Sequence, residues 1–216
     1  MQKLFLVFLI SLSLLLSASE PPINNKTAAP DKNYAKTLAL DDFNDGNLSA
    51  NPEWWVFDGI KPSFADHSGN KYLKLTGKAD NYYVGGMGFY FGRSAAAYDV
   101  LVVDVLGHGQ DSGVLRIQLF DDDNNTYELE QDANFQPLYD DQWEYELAVD
   151  WNGWRTIEIP FSTFVLANPG IGDGVWNPAD SNGSGGLLHV QLITLLHTPT
   201  GSINIGLDNL RLAKRN

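Results

Sequence analysis

Leu115-Arg116-Ile117-Gln118-Leu119-Phe120 sets an aliphatic side chain against a polar or aromatic one at every step. Side chains along a strand point to opposite faces in turn. Leu115, Ile117 and Leu119 therefore share one face, and Arg116, Gln118 and Phe120 share the other. One apolar and one mixed face describe the half-buried strand of an antiparallel sheet. The same period runs outward in both directions. Leu101, Val103 and Val105 alternate with Val102, Asp104 and Leu106, and Tyr145, Leu147 and Val149 alternate with Glu144, Glu146 and Ala148. Ile157 and Ile159 alternate with Thr156 and Glu158. Further strands are predicted over residues 73–75, 86–91, 126–130, 188–195 and 203–212. Between them lie turn formers: Asp45-Gly46, Gly107-His108-Gly109, residues 121–125, Asn152-Gly153 and residues 182–186. No stretch keeps a 3.6-residue period with caps. Many short strands at this spacing predict an all-β protein, an antiparallel β-sandwich of the jelly-roll type.

The start of the chain reads as an export leader. Lys3 precedes an apolar run over residues 4–16, which gives way to Ser17-Ala18-Ser19. A basic start, a short apolar core and small residues at the exit describe a secretory signal peptide over residues 1–19. The run is shorter than the roughly 20 residues that span a bilayer. Residues 20–38 hold Pro21-Pro22, Asn24-Asn25 and Ala28-Ala29-Pro30 with few large apolar side chains, and are predicted to be a disordered tether. Residues 39–213 form the sandwich domain. Cysteine is absent, so neither a lipidated cysteine nor a disulfide is available. Stability must come from the core or from a metal ion. The expected location is secreted or periplasmic, with no membrane contact after cleavage.

The formal net charge is −13, and loss of Lys3 with the leader makes it one unit more negative. Nucleic acid, anionic membranes and polyanionic glycans each need a basic footprint, which this balance argues against. Neutral ligands and cations remain, and an acidic surface also keeps an exported monomer soluble.

Four stretches together resemble the family 11 carbohydrate-binding modules and related galactose-binding-like jelly-roll domains. They are Leu40-Asp41-Asp42-Phe43, then Gly86-Met87-Gly88-Phe89-Tyr90-Phe91, then residues 153–164 beginning Gly153-Trp154-Arg155, and last Ile205-Gly206-Leu207-Asp208-Asn209-Leu210-Arg211-Leu212. Residues 65–73 resemble the segment that precedes the second strand in such modules. The resemblance implies a structural calcium where the first and last strands meet. It places that ion at Asp42 and Asp208, with carbonyl oxygens from residues 66–71. Carboxylates and loop carbonyls supply the six to eight oxygens calcium takes, and such an ion pins both chain ends. The run Asp121-Asp122-Asp123-Asn124-Asn125 lacks the glycine and closing glutamate of an EF-hand loop and reads as a hairpin turn.

The resemblance also implies a polysaccharide or oligosaccharide lying across the concave sheet. Sugars present apolar CH faces and equatorial hydroxyls, so a binding face needs flat rings with fixed polar groups beside them. The candidate residues are Arg116 and Gln118, with Trp143, Tyr145, Tyr82, Tyr83, Asp104 and Gln191; Glu146 and His189 lie in the same strands. Tyr145 follows the apolar phase of its strand, and at least one ring of Trp54-Trp55 belongs to the core. The expected function is a secreted, non-catalytic carbohydrate-binding domain for a neutral β-glucan-type polysaccharide. Such modules usually ride on glycoside hydrolases, whereas the stretch read here ends a few residues after its last predicted strand, and two alternatives stay open. One is a structural or protein-interaction jelly roll without sugar binding. The other is a glycan-active enzyme using Glu128 with Glu130, or Glu144 with Glu146, as a carboxylate pair. No G-x-S-x-G, catalytic cysteine or H-E-x-x-H supports catalysis.

Overall fold

The computed structural model describes residues 33–179 and 185–216. The leader and residues 20–32 of the tether lie outside the described residues. The strands are β1 (Tyr34–Asp41), β2 (Trp55–Asp58), β3 (Lys61–His67), β4 (Asn70–Ala79), β5 (Tyr83–Arg93), β6 (Val100–His108), β7 (Gly113–Asp121), β8 (Asp141–Val149), β9 (Asn152–Pro160), β10 (Val165–Leu166), β11 (Leu187–Leu195) and β12 (Gly201–Arg215). A single 3-10 turn, Phe161–Thr163, follows β9, and no α-helix occurs among the described residues.

These strands make two antiparallel sheets that pack face to face as a jelly-roll sandwich. One runs β3-β4-β12-β6-β9, with β1 also on β12; the other runs β10-β8-β7-β11-β5-β2. β12 is long enough to pair with β4 through Gly201 to Leu207 and then with β1 through Leu210 to Arg215. The two ends of the domain therefore meet, as the terminal motifs predict. The sandwich starts earlier than composition suggests, because Tyr34 to Leu38 belong to β1 rather than to the tether. This segment is held by pairing and by side-chain contacts: Leu38 faces Leu212, Lys36 faces Lys214 with its ammonium over the Tyr98 ring, and the Tyr34 hydroxyl donates to Glu158.

The core is the sum of the apolar phases. Leu115, Ile117 and Leu119 of β7 and Met87, Phe89 and Phe91 of β5 face Leu101, Val103 and Val105 of β6 and Ile203, Ile205 and Leu207 of β12. All twelve are almost wholly removed from water. Trp54 is the core member of the Trp54-Trp55 pair. Its ring meets Phe89 edge-on at 4.7 Å, and its indole N–H donates to Asp41 Oδ2 at 2.8 Å.

One segment takes a defined form and another departs from the sequence reading. Residues 66–71 form a two-residue hairpin, since Asp66 pairs with Lys71 and His67 with Asn70 across Ser68-Gly69. Both turn residues have positive φ, 55° and 84°, the conformation that matches strand twist in tight hairpins. Residues 121–125 are not the tight turn expected. β7 and β8 pair up to Asp121 opposite Asp141, so residues 122–140 leave the hairpin as a long arm. Residues 126–130 lie in that arm and form no strand.

Candidate functional site

The outward face of the β10-β8-β7-β11-β5-β2 sheet is organised in rungs, because register puts one residue from each strand on the same line. The middle rung runs Trp55, Gly88, Gln191, Gln118, Glu144. The rung beside it runs Phe57, Gly86, Ile193, Arg116, Glu146. On the other side, Tyr90, His189, Phe120 and Gln142 form a third. Along the middle rung an aromatic ring thus stands at the β2 end, amides in the middle and a carboxylate at the β8 end.

The glycines make the floor. A Cβ at Gly88 would come 2.8 Å from Trp55 Cζ2 and 2.7 Å from Gln191 Cγ, and one at Gly86 would come 2.6 Å from Phe57 Cζ. Bare backbone on β5 therefore lets the Trp55 and Phe57 side chains lie against the sheet. Above this floor is a groove of about 580 Å³. Trp55, Phe57, Tyr83, Arg116, Gln118, Phe120 and Gln191 line it from the sheet, and Gln131, Asn134, Phe135 and Gln136 line it from the 122–140 arm.

The polar groups of the floor are held in place. Arg116 Nε and Nη2 donate to Glu146 Oε1 at 2.9 and 2.6 Å. Gln118 and Gln142 both donate to Glu144 Oε1, at 2.6 and 2.7 Å. Tyr83 donates its hydroxyl to Asp58 Oδ2 at 2.5 Å, and burial followed by that carboxylate raises the phenol well above its ordinary value. These are fixed donors and acceptors beside flat rings, the combination that sugar recognition requires. The two glutamates sit side by side on one strand at one rim, rather than on opposite sides of a cleft as glycosidase carboxylates do.

Four predicted residues, Arg116, Gln118, Gln191 and Tyr83, are brought together here. Trp143 and Tyr145 are not. They pair with Leu119 and Ile117, the inward phase of β7, and pack on the core. Trp143 donates its indole N–H to Asp121 Oδ1 at 2.9 Å, and Tyr145 leans on Phe164. Asp104 is on β6, in the opposite sheet, where Thr156 and Asn209 donate to it. Tyr82 precedes β5 with φ of 69° and is tied by its backbone to Pro199 and Leu196, outside the groove. Consecutive residues cannot share a face, so only Tyr83 of that pair reaches the site. The residues missed are Phe57, Phe120, Gln142 and the arm tip. Phe120 and Phe57 were readable as extensions of the phases of Arg116 and Trp55. Nothing local marks Phe135.

His189 sits within the third rung, with its ring 5.0 Å from Trp55, 5.7 Å from Tyr90 and 6.1 Å from Phe120. Burial depresses its pKa from 6.5 to about 4. The folded state therefore resists protonation. The stability this confers is complete above pH 6.5 and is lost as pH falls towards 4. At about 1.4 kcal/mol per pH unit, the loss is roughly 3 kcal/mol. Chemical denaturation of His189→Phe and its parent from pH 7 to 4 is expected to show a gap that closes by about that amount in the variant's favour. Parallel curves would mean His189 titrates alike in both states.

Two acidic groupings lie elsewhere. On the opposite sheet, Asp208 faces Asp104 across β12 and β6, and the end of β1 at Asp41 carries Asp42 towards the same junction. Burial first, and then the Asp104 and Asp42 charges, push Asp208 up to about 6. Asp208 Oδ2 accepts from Asn70 Nδ2 at 2.6 Å and Oδ1 from the Asn209 N–H at 2.8 Å. At the end of the groove sheet, the carboxylates of Asp121, Asp123 and Asp141 converge within 4.8 Å and could hold a metal ion.

A scan against protein-family profiles finds no match, and a search of curated proteins finds none either. Solved structures do match. A family 11 carbohydrate-binding module from Clostridium thermocellum, in complex with a β-1,3-1,4-mixed-linked tetrasaccharide, aligns at TM-score 0.55 and 18% identity, covering 83% of this chain and 96% of that one. The family 11 module of the cellulosomal cellulase Lic26A-Cel5E of the same organism aligns at 0.54 and 18%, covering 83% and 95%. At these identities the likeness is one of fold. The chain has the jelly-roll sandwich of the family 11 modules across nearly their whole length.

Proposed function

We propose that the protein is an extracytoplasmic, non-catalytic carbohydrate-binding domain that takes a neutral β-glucan-type chain in the groove of the β10-β8-β7-β11-β5-β2 sheet. The observation that carries this reading is the middle rung. It sets the Trp55 ring, two glutamines and a tethered glutamate in one line across the sheet, beneath the exposed Phe135. A sugar ring offers the aromatic a CH face and the amides its hydroxyls. Glu144 and Glu146 are engaged by Gln118, Gln142 and Arg116, which fits acceptors for hydroxyls better than a proton donor working across a cleft. The fold match to a module solved with a mixed-linkage tetrasaccharide supports the choice of ligand class.

Calcium is proposed at the β1–β12 junction, held by Asp42 and Asp208 with the Asn70 side chain turned to offer its oxygen. Asp208 faces Asp104 across β12 and β6 and feels the Asp42 charge, and this negative field suits a hard cation. When bound it would neutralise these acids and pin the first strand to the last. The domain is proposed to act as a monomer, without nucleic acid or membrane as partner.

Retention on a gel containing mixed-linkage β-glucan tests the reading. The mature protein is expected to be retarded and Arg116→Ala to lose about tenfold in affinity, because Glu146 is then left without its orienting partner. The melting temperature should hardly move, since exposed ion pairs contribute about 0–1 kcal/mol. Free migration of the parent on every neutral glycan tried would favour a protein-interaction domain instead. An equally large fall in stability would make Arg116 a structural buttress.

A further inference from the structure

We propose that Asp121, Asp123 and Asp141 form a second cation site, selective for calcium over magnesium, at the point where the 122–140 arm leaves and rejoins the groove sheet. Asp121 and Asp141 are directly opposite each other in the β7–β8 register, and both are fully buried. Like charges facing across strands destabilise a sheet unless something lies between them. Apart from an Asp123–Asp141 contact between the carboxyls themselves, the donors to these acids are N–H groups. Asp121 accepts from Trp143 Nε1 and from the Asn177 N–H, Asp123 Oδ2 from the Asp141 and Asp173 N–H groups, and Asp141 Oδ2 from the Gly174 N–H at 2.7 Å.

These bonds leave Asp123 Oδ1 and Asp141 Oδ1 buried without a partner, and Asp140 Oδ2 beside them is in the same condition. Asp141 and Asp140 have no solvent-exposed surface at all. A buried carboxylate oxygen with no donor is costly, and here such atoms belong to a group whose carboxylates converge within 4.8 Å. The chain also closes over the cluster: a Cβ at Gly172 would meet Asp123 Oδ2 at 2.2 Å and Asp141 Oδ1 at 2.5 Å. Burial, with neighbouring carboxylates adding to it, raises Asp121 and Asp123 to about 7, as expected of acids packed together with no positive charge among them.

Calcium suits this donor set. It accepts six to eight oxygens in irregular geometry, whereas magnesium demands a compact octahedron and keeps its water. The ion would tie both ends of the arm together, through Asp121 and Asp123 at its start and Asp141 at its return. The site is separate from the β1–β12 junction, and binding of the ion does not depend on the glycan reading.

Terbium, a luminescent stand-in for calcium, tests the site in the metal-stripped full chain carrying Asp208→Asn, which removes the junction. Excitation of tryptophan is expected to give terbium emission, because the Trp143 indole is bonded to Asp121. Calcium should quench it at concentrations at least about tenfold below magnesium. Trp143→Phe should lose most of the emission yet keep the calorimetric signal for calcium. The isosteric double variant Asp123→Asn, Asp141→Asn should lose both. No emission and no heat with calcium in the millimolar range would overturn the proposal and leave a shared proton as the cluster's counter-charge. Equal calcium affinity in the double variant would overturn it too. Should that variant not fold, calorimetry of the Asp208→Asn protein with calcium alone decides.

Discussion

Gly88→Ala is expected to lower affinity for mixed-linkage β-glucan roughly a hundredfold. Gly88 lies in ordinary strand backbone, so alanine meets no conformational penalty there. The penalty is one of space. The new Cβ would stand 2.7 Å from Gln191 Cγ and 2.8 Å from Trp55 Cζ2, both nearer than atoms settle. Phe89 and Met87 pack beneath the strand, so nothing can sink. Trp55 and Gln191 must move out into the groove, displacing the ring and the amide that the sugar would meet. Overpacking of this kind costs about 1–3 kcal/mol, which a sandwich of this size survives. Gly201→Ala is the control, since its Cβ would meet nothing closer than 3.8 Å. Gel retention and near-ultraviolet dichroism of both variants check the prediction. Full retention by Gly88→Ala would mean the ligand does not lie on the Trp55 rung.

The strands that position this rung were legible because each carries its own period. β7, β8 and β9 each alternate between an apolar and a mixed phase, and the terminal motifs placed the strand of Asp208 beside the segment around Asp42, where Asp41 pairs with Leu210. The faces of the aromatics were harder to read. On β8, Gln142, Glu144 and Glu146 mark the outward phase, and that alone sends Trp143 and Tyr145 inward. The pull of two rings near a polar pair hid it, because a buried indole needs an acceptor, and Asp121 supplies one from the neighbouring strand. The arm was not legible. Asp121 to Asn125 has the composition of a hairpin turn, and the first residues of a long excursion use the same Asx chemistry: Asp122 Oδ1 accepts from the Asn124 and Asn125 N–H groups. What separates a turn from an arm is where pairing resumes. That is a fact about Asp141, twenty residues downstream of Asp121, and no local pattern contains it.

Phe135, at the tip of that arm, carries the second large effect. Its side chain is 78% exposed, although a phenylalanine ordinarily stabilises a fold by leaving water. Its backbone has φ of 61°, a region that a residue with a Cβ enters at a cost of about 1–3 kcal/mol. The arm enforces that conformation. The Phe135 N–H donates to the Asp132 carbonyl at 3.0 Å, Gln131 Nε2 donates to the Phe135 carbonyl at 2.7 Å, and the Gln136 N–H donates to Asp132 Oδ1 at 2.9 Å. A strained residue presenting an exposed ring to a groove earns nothing for stability, so its use must lie in what the groove receives. Phe135→Ala is therefore expected to weaken β-glucan binding about tenfold to thirtyfold, the range for losing one central aromatic contact, with no fall in melting temperature. Phe135→Gly, which suits the positive φ, should bind as weakly and melt no lower than the parent. Phe135→Tyr keeps the ring and should keep the affinity. Trp55→Ala, by contrast, should lower both binding and stability, because Trp55 also packs on the core. If Phe135→Ala binds as tightly as the parent, the arm does not cover the sugar, and the ligand is read by the sheet alone.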